Sequence, residues 1–159
     1  MLAVAIVLFA SAAPTALPAR VCASVSEPPT PEDYKRDPNL RRDALKDIQA
    51  TQAIFIGEAL SSSEIAATFK VTRVWQGDLT TPLTLRGPIE VRADGSKVWT
   101  SEIAGDFKLG ASYLVFAYGP SVSDARPDGC STALASKSKT AIRILDFLVN
   151  PYPPKRSGR

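Results

Sequence analysis

The residues that could perform chemistry in this chain are few, because it contains no histidine and only two cysteines, Cys22 and Cys130. The absence of histidine excludes Ser-His and Cys-His nucleophile pairs, the commonest general base and most zinc sites. Two cysteines in an exported protein more often form a disulfide than supply a catalytic thiol. We therefore expect no catalytic residue, no cofactor and no metal site belonging to this chain.

Carboxylates are the remaining candidates for acid/base chemistry. Glu90, Asp94, Glu102 and Asp106 could form the pair of acidic groups that such a reaction needs. Each of them lies at a predicted turn or at an exposed strand position, where a solvated charge is the usual explanation. The sequence therefore predicts a protein that is not an enzyme.

Basic and aromatic residues are the candidates for binding. The net charge of +3 is too weak to indicate a nucleic-acid partner, whose binders concentrate basic residues on one face. A basic set near the carboxyl end could bind an anionic glycan or another exported protein, although such residues also serve solubility. Likewise, four aromatic residues could line a binding groove or fill the core. The basic set is Lys137, Lys139, Arg143, Lys155 and Arg156, and the aromatic set is Trp75, Trp99, Tyr113 and Phe116.

The amino-terminal stretch Leu2 to Ala13 predicts export. It is apolar but shorter than the roughly 20 residues of a membrane span, which is typical of a signal peptide. We expect residues 1–21 to be removed, with a boundary between 19 and 23, and the mature protein to be secreted or in the periplasm or cell envelope, without a membrane anchor. The rest of the 159-residue chain is long enough for one domain, predicted as 22–150, with a frayed tail at 151–159.

Two helices flank the predicted strands. Ser26 to Asn39 is rich in proline and predicts a surface connection rather than a helix or strand. Asp37 and Pro38 then predict the start of a helix near 38–49. A second helix near 140–149 is predicted to be capped by Thr140 and stopped before Pro151.

The central part of the chain predicts a barrel of short strands. A continuous apolar run begins at Ala53, residues 67–73 alternate between apolar and polar, and Tyr113 to Tyr118 gives the strongest strand pattern. Gly87 and Pro88 predict a bend within a further strand region that covers 83–91. Short strands separated by glycine turns are typical of a closed or nearly closed barrel. We therefore expect a mainly β protein, a closed or nearly closed barrel with flanking α-helices.

Several motifs follow the amino-terminal cysteine and the first predicted helix along the chain, in the order AIFIGEAL, ATFKVTRVWQGD, GDFKLGASYLVFA and DGCSTALAS. This order resembles the bacterial branch of the tissue inhibitors of metalloproteinases, within the netrin-like OB-fold group. The resemblance spans about Cys22 to Leu134 and implies a five-stranded OB-fold-like barrel.

Two positions depart from the pattern of this family. Ser24 stands where the family has the second cysteine of a Cys-x-Cys motif, and Ala104 stands in place of the cysteine before Gly105. Family members join those two positions by a disulfide, so both partners of one bond are missing together. The resemblance implies that the other pair, Cys22 and Cys130, is bonded. That bond would close a loop of roughly a hundred residues and contribute about 4 to 5 kcal/mol in the chain-entropy model.

The resemblance also implies a partner and a binding ridge. In the animal inhibitors, the free amino group and carbonyl oxygen of the first cysteine bind the active-site zinc of the protease. Cys22 would then chelate the zinc of a metalloprotease, Ala23 would enter its specificity pocket, and Ser24 and Val25 would be further ridge contacts. Alternatively, Cys22 only attaches the amino-terminal segment to the barrel, and the chain is a netrin-like protein- or glycan-binding module without inhibitory activity.

Overall fold

A computed structural model describes residues 29–99 and 106–156 of the chain. Three α-helices lie in these ranges: α1 (Pro31–Arg36), α2 (Pro38–Ala50) and α3 (Lys139–Leu148). The strands are β1 (Ala53–Ser62), β2 (Ala66–Gln76), β3 (Thr80–Thr81), β4 (Leu83–Arg86), β5 (Ile89–Val91), β6 (Lys97–Trp99), β7 (Ser112–Tyr118), β8 (Arg126–Pro127), β9 (Ala133–Leu134) and β10 (Lys155–Arg156).

The main sheet is antiparallel and runs in the order β4-β2-β1-β7-β8, with β9 also paired to β7. Its two ends come together where the Arg86 amide donates a hydrogen bond of 3.0 Å to the Ala125 carbonyl, just before β8. The five strands therefore form a nearly closed barrel. This confirms the predicted mainly β class and the barrel-like arrangement, and α2 and α3 confirm both predicted flanking helices.

Aromatic rings fill the interior of the barrel. Phe55, Phe69, Phe107 and Tyr113 form a chain of edge-to-face contacts, with successive ring centroids 5.6, 5.0 and 5.0 Å apart. This is the geometry that aromatic quadrupoles prefer, and it adds to the stabilisation from apolar burial. Tyr113 reaches the edge of this core, where its hydroxyl accepts a hydrogen bond of 2.9 Å from the Lys108 amide.

A second core lies between the outside of the barrel and the helices. Ile54, Trp75 and Leu114 point outward from β1, β2 and β7 and pack with Tyr34, Ile48, Leu145 and Leu148. Neighbouring residues on these strands face the interior, so the strands are covered on both sides. This explains the continuous apolar run at the start of β1, since side chains on both faces are buried.

Helix α1 corrects the prediction that residues 26–39 form only a surface connection. Thr30 and Asp33 form a reciprocal capping box, in which the Thr30 hydroxyl accepts from the Asp33 amide and the Asp33 carboxylate accepts from the Thr30 amide. Pro31 occupies the first turn, where its missing amide hydrogen costs no helical bond. The prolines therefore suggest a loop at a place where a helix begins.

The start of α3 differs from prediction by a small shift. The helix begins at Lys139, and Ser138 is its N-cap residue, so Thr140 lies within the first turn and is not the cap. Ser138 makes no side-chain cap because its hydroxyl donates to the Leu134 carbonyl at 3.0 Å. Helix α2, in contrast, begins as predicted, since the Asp37 carboxylate accepts from two amides of the first turn.

The bend at Gly87 divides the predicted strand region 83–91 into β4, in the barrel, and β5, which pairs with β6 in a separate hairpin. A Cβ atom at Gly87 would lie 2.5 Å from the Glu64 carbonyl oxygen, so the close approach of the two backbones requires glycine. The Gly87 and Ile89 amides donate to the Ile65 and Glu64 carbonyls. These bonds hold the β5-β6 hairpin beside the turn between β1 and β2.

The carboxyl-terminal segment, predicted as frayed, is instead paired with the barrel through residue 156. Tyr152 and Val74 exchange two backbone hydrogen bonds of 2.8 and 2.9 Å, and β10 lies parallel to β3. The Tyr152 hydroxyl donates to the Gly77 carbonyl at 2.7 Å, and Lys155 forms an ion pair with Asp78 at 2.6 Å. Residues more than 70 positions apart make these contacts, so local sequence patterns do not reveal them.

In the ranges that the structure describes, no helix has the length and apolar character needed to cross a bilayer.

Candidate functional site

Cys130 lies in a tight turn that is fixed to the edge of β7. The turn joins β8 and β9, both of which pair with β7. The Asp128 amide donates to the Phe116 carbonyl at 2.7 Å, and the Thr132 amide donates to the Asp128 carbonyl at 3.0 Å. The Asp128 carboxylate accepts from the Ser131 amide at 3.0 Å. These bonds give the turn a defined backbone on both sides of Cys130.

Thr132 makes the second attachment of this turn. Its hydroxyl accepts from the Phe116 amide at 3.2 Å and donates to the Phe116 carbonyl at 3.4 Å. One side chain therefore contacts both backbone groups of a β7 residue at the point where neither β8 nor β9 pairs with it, and it shares the Phe116 carbonyl with the Asp128 amide. This is a physical reason for a threonine two positions after Cys130.

Cys130 itself is exposed, and no cysteine in the described part of the chain is free. Its predicted partner, Cys22, lies outside the described residues, as do Ala23, Ser24 and Val25 of the predicted ridge. Ala104, one of the two departures from the family pattern, also lies outside them. The Cys22–Cys130 bond and the ridge contacts therefore stay predictions.

The predicted basic set is distributed over two regions. Lys137, Lys139 and Arg143 are exposed around the start of α3, with Lys139 and Arg143 one helical turn apart on the same face. Lys155 lies in β10, where Asp78 neutralises it, and Arg156 lies opposite Thr81. Lys137, Lys139 and Arg143 therefore form a local cluster, and Lys155 and Arg156 lie in a different region.

Two of the three candidate carboxylates that the structure describes have separate partners. Glu90 forms an ion pair with Arg126 at 2.8 Å. Asp94 closes a turn by accepting from the hydroxyl and the amide of Ser96, and these two bonds lower the pKa of Asp94 below its ordinary value of 3.8. Asp106 is exposed, and Glu102 lies outside the described residues. Within residues 29–99 and 106–156, no three His, Cys, Asp or Glu residues cluster as a metal site.

The four candidate aromatic residues have different environments. Trp75 and Tyr113 are buried in the outer and inner cores respectively, and Phe116 is half-buried against the helices. Trp99 is 61% exposed on β6. Two of the four therefore fill the core, which is the alternative to lining a binding groove.

A polar contact between α3 and the barrel was not anticipated from the sequence. The Asp146 carboxylate accepts from the Arg73 guanidinium at 2.6 Å and from the Trp75 indole N–H at 3.0 Å. The guanidinium also lies 4.9 Å from the centre of the indole ring. An acidic residue between Leu145 and Phe147 in an apolar stretch was the signal available in the sequence. This contact orients α3, which carries Lys139 and Arg143.

Comparisons with protein-family models, curated proteins and solved structures found no match.

Proposed function

We propose that the chain is an exported, non-enzymatic domain similar to the tissue inhibitors of metalloproteinases, and that it inhibits a zinc metalloendopeptidase through its amino-terminal cysteine. The observation that carries the proposal is the exposed position of Cys130 in a turn that Asp128 and Thr132 attach to a barrel strand. It supports a rigid point of attachment for the segment that begins at Cys22.

Rigid attachment matters because of the chemistry expected at the amino terminus. A terminal amine binds zinc through its lone pair, so it must be neutral, and α-amino groups have pKa values near 7.7 to 8.0. The adjacent carbonyl oxygen must point toward the same metal. A disulfide from Cys22 to Cys130 would hold both atoms in one orientation and so reduce the entropy lost on binding.

The first experiment determines where the mature protein begins. The proposal predicts a start at Cys22, measured by mass spectrometry of the exported protein. A start at Arg20 would leave the amine two residues away from the chelating position, and a start at Ser24 would remove the cysteine. Either result would contradict the proposal.

The second experiment measures inhibition of a panel of zinc endopeptidases by protein that begins at Cys22. One additional residue, Val21, should abolish inhibition because it displaces the amine and blocks the approach to the metal. The matched control is one additional residue after Arg159, which should leave inhibition unchanged. Equal inhibition by both extended proteins would show that the amino terminus is not the zinc ligand.

The alternative is a netrin-like module that binds an anionic glycan. The cluster Lys137, Lys139 and Arg143 favours it, since all three side chains are exposed and lie around one helix start. This alternative predicts that Lys137→Ala with Lys139→Ala elutes earlier from a sulfated column. The control replaces Lys97 and Lys108, exposed cations elsewhere on the surface, and equal elution of both double variants would exclude a local glycan site.

A further inference from the structure

The outer face of α2 carries a shallow groove of about 440 Å³ that the proposed inhibitory function does not use. Its lining residues recur at three- and four-residue spacing, so they form one stripe along the helix. At 1.5 Å per residue the stripe is about 16 Å long. It consists of Pro38, Arg41, Arg42, Leu45, Lys46 and Gln49.

Charge is segregated along this part of the chain. Residues 31–50 contain five basic and five acidic residues, yet three residues lining the groove are basic and none is acidic. Two of the carboxylates, on Asp33 and Asp37, cap the amino ends of α1 and α2. The groove therefore presents a local positive charge although the two helices are neutral as a whole.

One carboxylate competes for these cations from the edge of the groove. Asp43 lies 3.6 Å from the Arg42 Nε atom and 3.7 Å from the Lys46 Nζ atom, and all three side chains are more than 60% exposed. Ion pairs of this length and exposure are weak, so a carboxylate from a partner can replace them. Arg41 is held differently, since its guanidinium lies over the Phe147 ring of α3 at 5.6 Å.

Leu45 gives the groove an apolar component. It is half-buried, with its inner side packed against the outer core. A purely anionic polymer gains nothing from contact with leucine and proline, whereas a peptide can place an apolar side chain there. Recognition of an amphipathic segment by a groove combines such an apolar anchor with charged contacts on the rim.

We propose that this groove binds an acidic amphipathic peptide segment of a partner protein. Carboxylates of the segment pair with Arg41, Arg42 and Lys46, and an apolar side chain contacts Leu45. All the residues that line this groove belong to α2, so binding here is measured independently of the inhibition of a protease.

The test uses the full mature chain and a synthetic peptide with glutamates along one helical edge and leucines along the other. Backbone amide chemical shifts measured during titration should change along α2. Arg42→Gln with Lys46→Gln should weaken binding about tenfold, and Asp43→Asn should strengthen it about threefold by removing the competing carboxylate. Lys97→Gln with Lys108→Gln, two exposed cations outside any proposed site, is the matched control and should leave the affinity unchanged.

Three outcomes would overturn the proposal. A peptide with glutamine in place of glutamate that binds equally well would show apolar adhesion without charge recognition. Tighter binding of a sulfated oligosaccharide to the same stripe would identify a glycan site. An equal loss of affinity in the control variant would show that only net charge matters. Asp43→Asn removes a side chain that is 63% exposed, so its predicted gain can be measured even if the double glutamine variant folds poorly.

Discussion

Asp146 is the polar connection between α3 and the barrel, and its replacement tests how this helix is held. One oxygen, Oδ1, accepts both the Arg73 guanidinium and the Trp75 indole N–H. Trp75 is only 1% exposed, and the Asp146 carboxylate is the acceptor that its indole N–H has in the structure. Asp146→Ala therefore breaks an ion pair and leaves a buried donor without a partner.

The two losses have different magnitudes. A buried donor left unpaired costs about 1 to 3 kcal/mol. The ion pair is more than a third exposed at Arg73 and a third exposed at Asp146, so it contributes less than about 1 kcal/mol. We expect Asp146→Ala to lower the free energy of unfolding by about 2 to 3 kcal/mol. Asp146→Asn keeps an acceptor for the indole and should cost about 0.5 to 1 kcal/mol.

Urea unfolding monitored by tryptophan fluorescence measures both variants. The chain has two tryptophans, so a Trp99→Phe background leaves Trp75 as the single reporter, and the exposure of Trp99 makes this change mild. With a slope of about 1.5 to 2 kcal/mol per molar urea, the Asp146→Ala midpoint should fall by about 1 to 2 M. Equal midpoints for the alanine and asparagine variants would refute the argument, because the buried indole bond would then contribute nothing.

Three further predictions follow from other contacts. Gly87→Ala should cost about 2 kcal/mol, because its Cβ would lie 2.5 Å from the Glu64 carbonyl oxygen; a thermal midpoint equal to that of the unmodified protein would disprove it. Tyr152→Phe should cost about 1 kcal/mol and accelerate hydrogen exchange in the carboxyl-terminal segment, since the bond to the Gly77 carbonyl is lost; unchanged exchange would contradict this. Hydrogen bonds from the cap residue of α1 lower the pKa of Asp33 below its ordinary value of 3.8, so their stabilisation is present above about pH 4 and lost as the pH falls through the lowered pKa. Unfolding measured from about pH 6 to 3 should show a shallower acid loss for Asp33→Asn, and identical slopes would exclude the effect.

Elements with a strong local pattern were predictable from the sequence. The apolar run at β1, the alternation in β2 and the aliphatic-aromatic run in β7 correspond to the three central strands of the sheet. Asp37 followed by a proline located the start of α2. In these places the local preference and the tertiary environment favour the same conformation, which is why periodicity was sufficient.

The contacts that were not predictable join distant residues. The β10-β3 pairing, the ion pair of Lys155 with Asp78 and the Asp146 contact connect positions more than 70 residues apart. Helix α1 was missed for a different reason, since prolines near Thr30 suggest a loop while the capping box determines a helix. For the candidate site, the sequence indicated Cys130 as an attachment point, but the hydrogen bonds that fix its turn to Phe116 depend on strand pairing.

Strand β7 connects the features on which the proposed function depends. Tyr113 and Val115 face the interior of the barrel, Leu114 and Phe116 face the helices, and the backbone of Phe116 holds the Cys130 turn. A disulfide at Cys130 would thus attach the amino-terminal segment to a strand that is buried on both faces. Loss of that bond would reduce stability through chain entropy and would also release the proposed zinc ligand. Extension of the amino terminus by one residue would displace the proposed zinc ligand without breaking the bond, so it separates inhibition from folding. A cysteine substitution would instead alter both inhibition and stability.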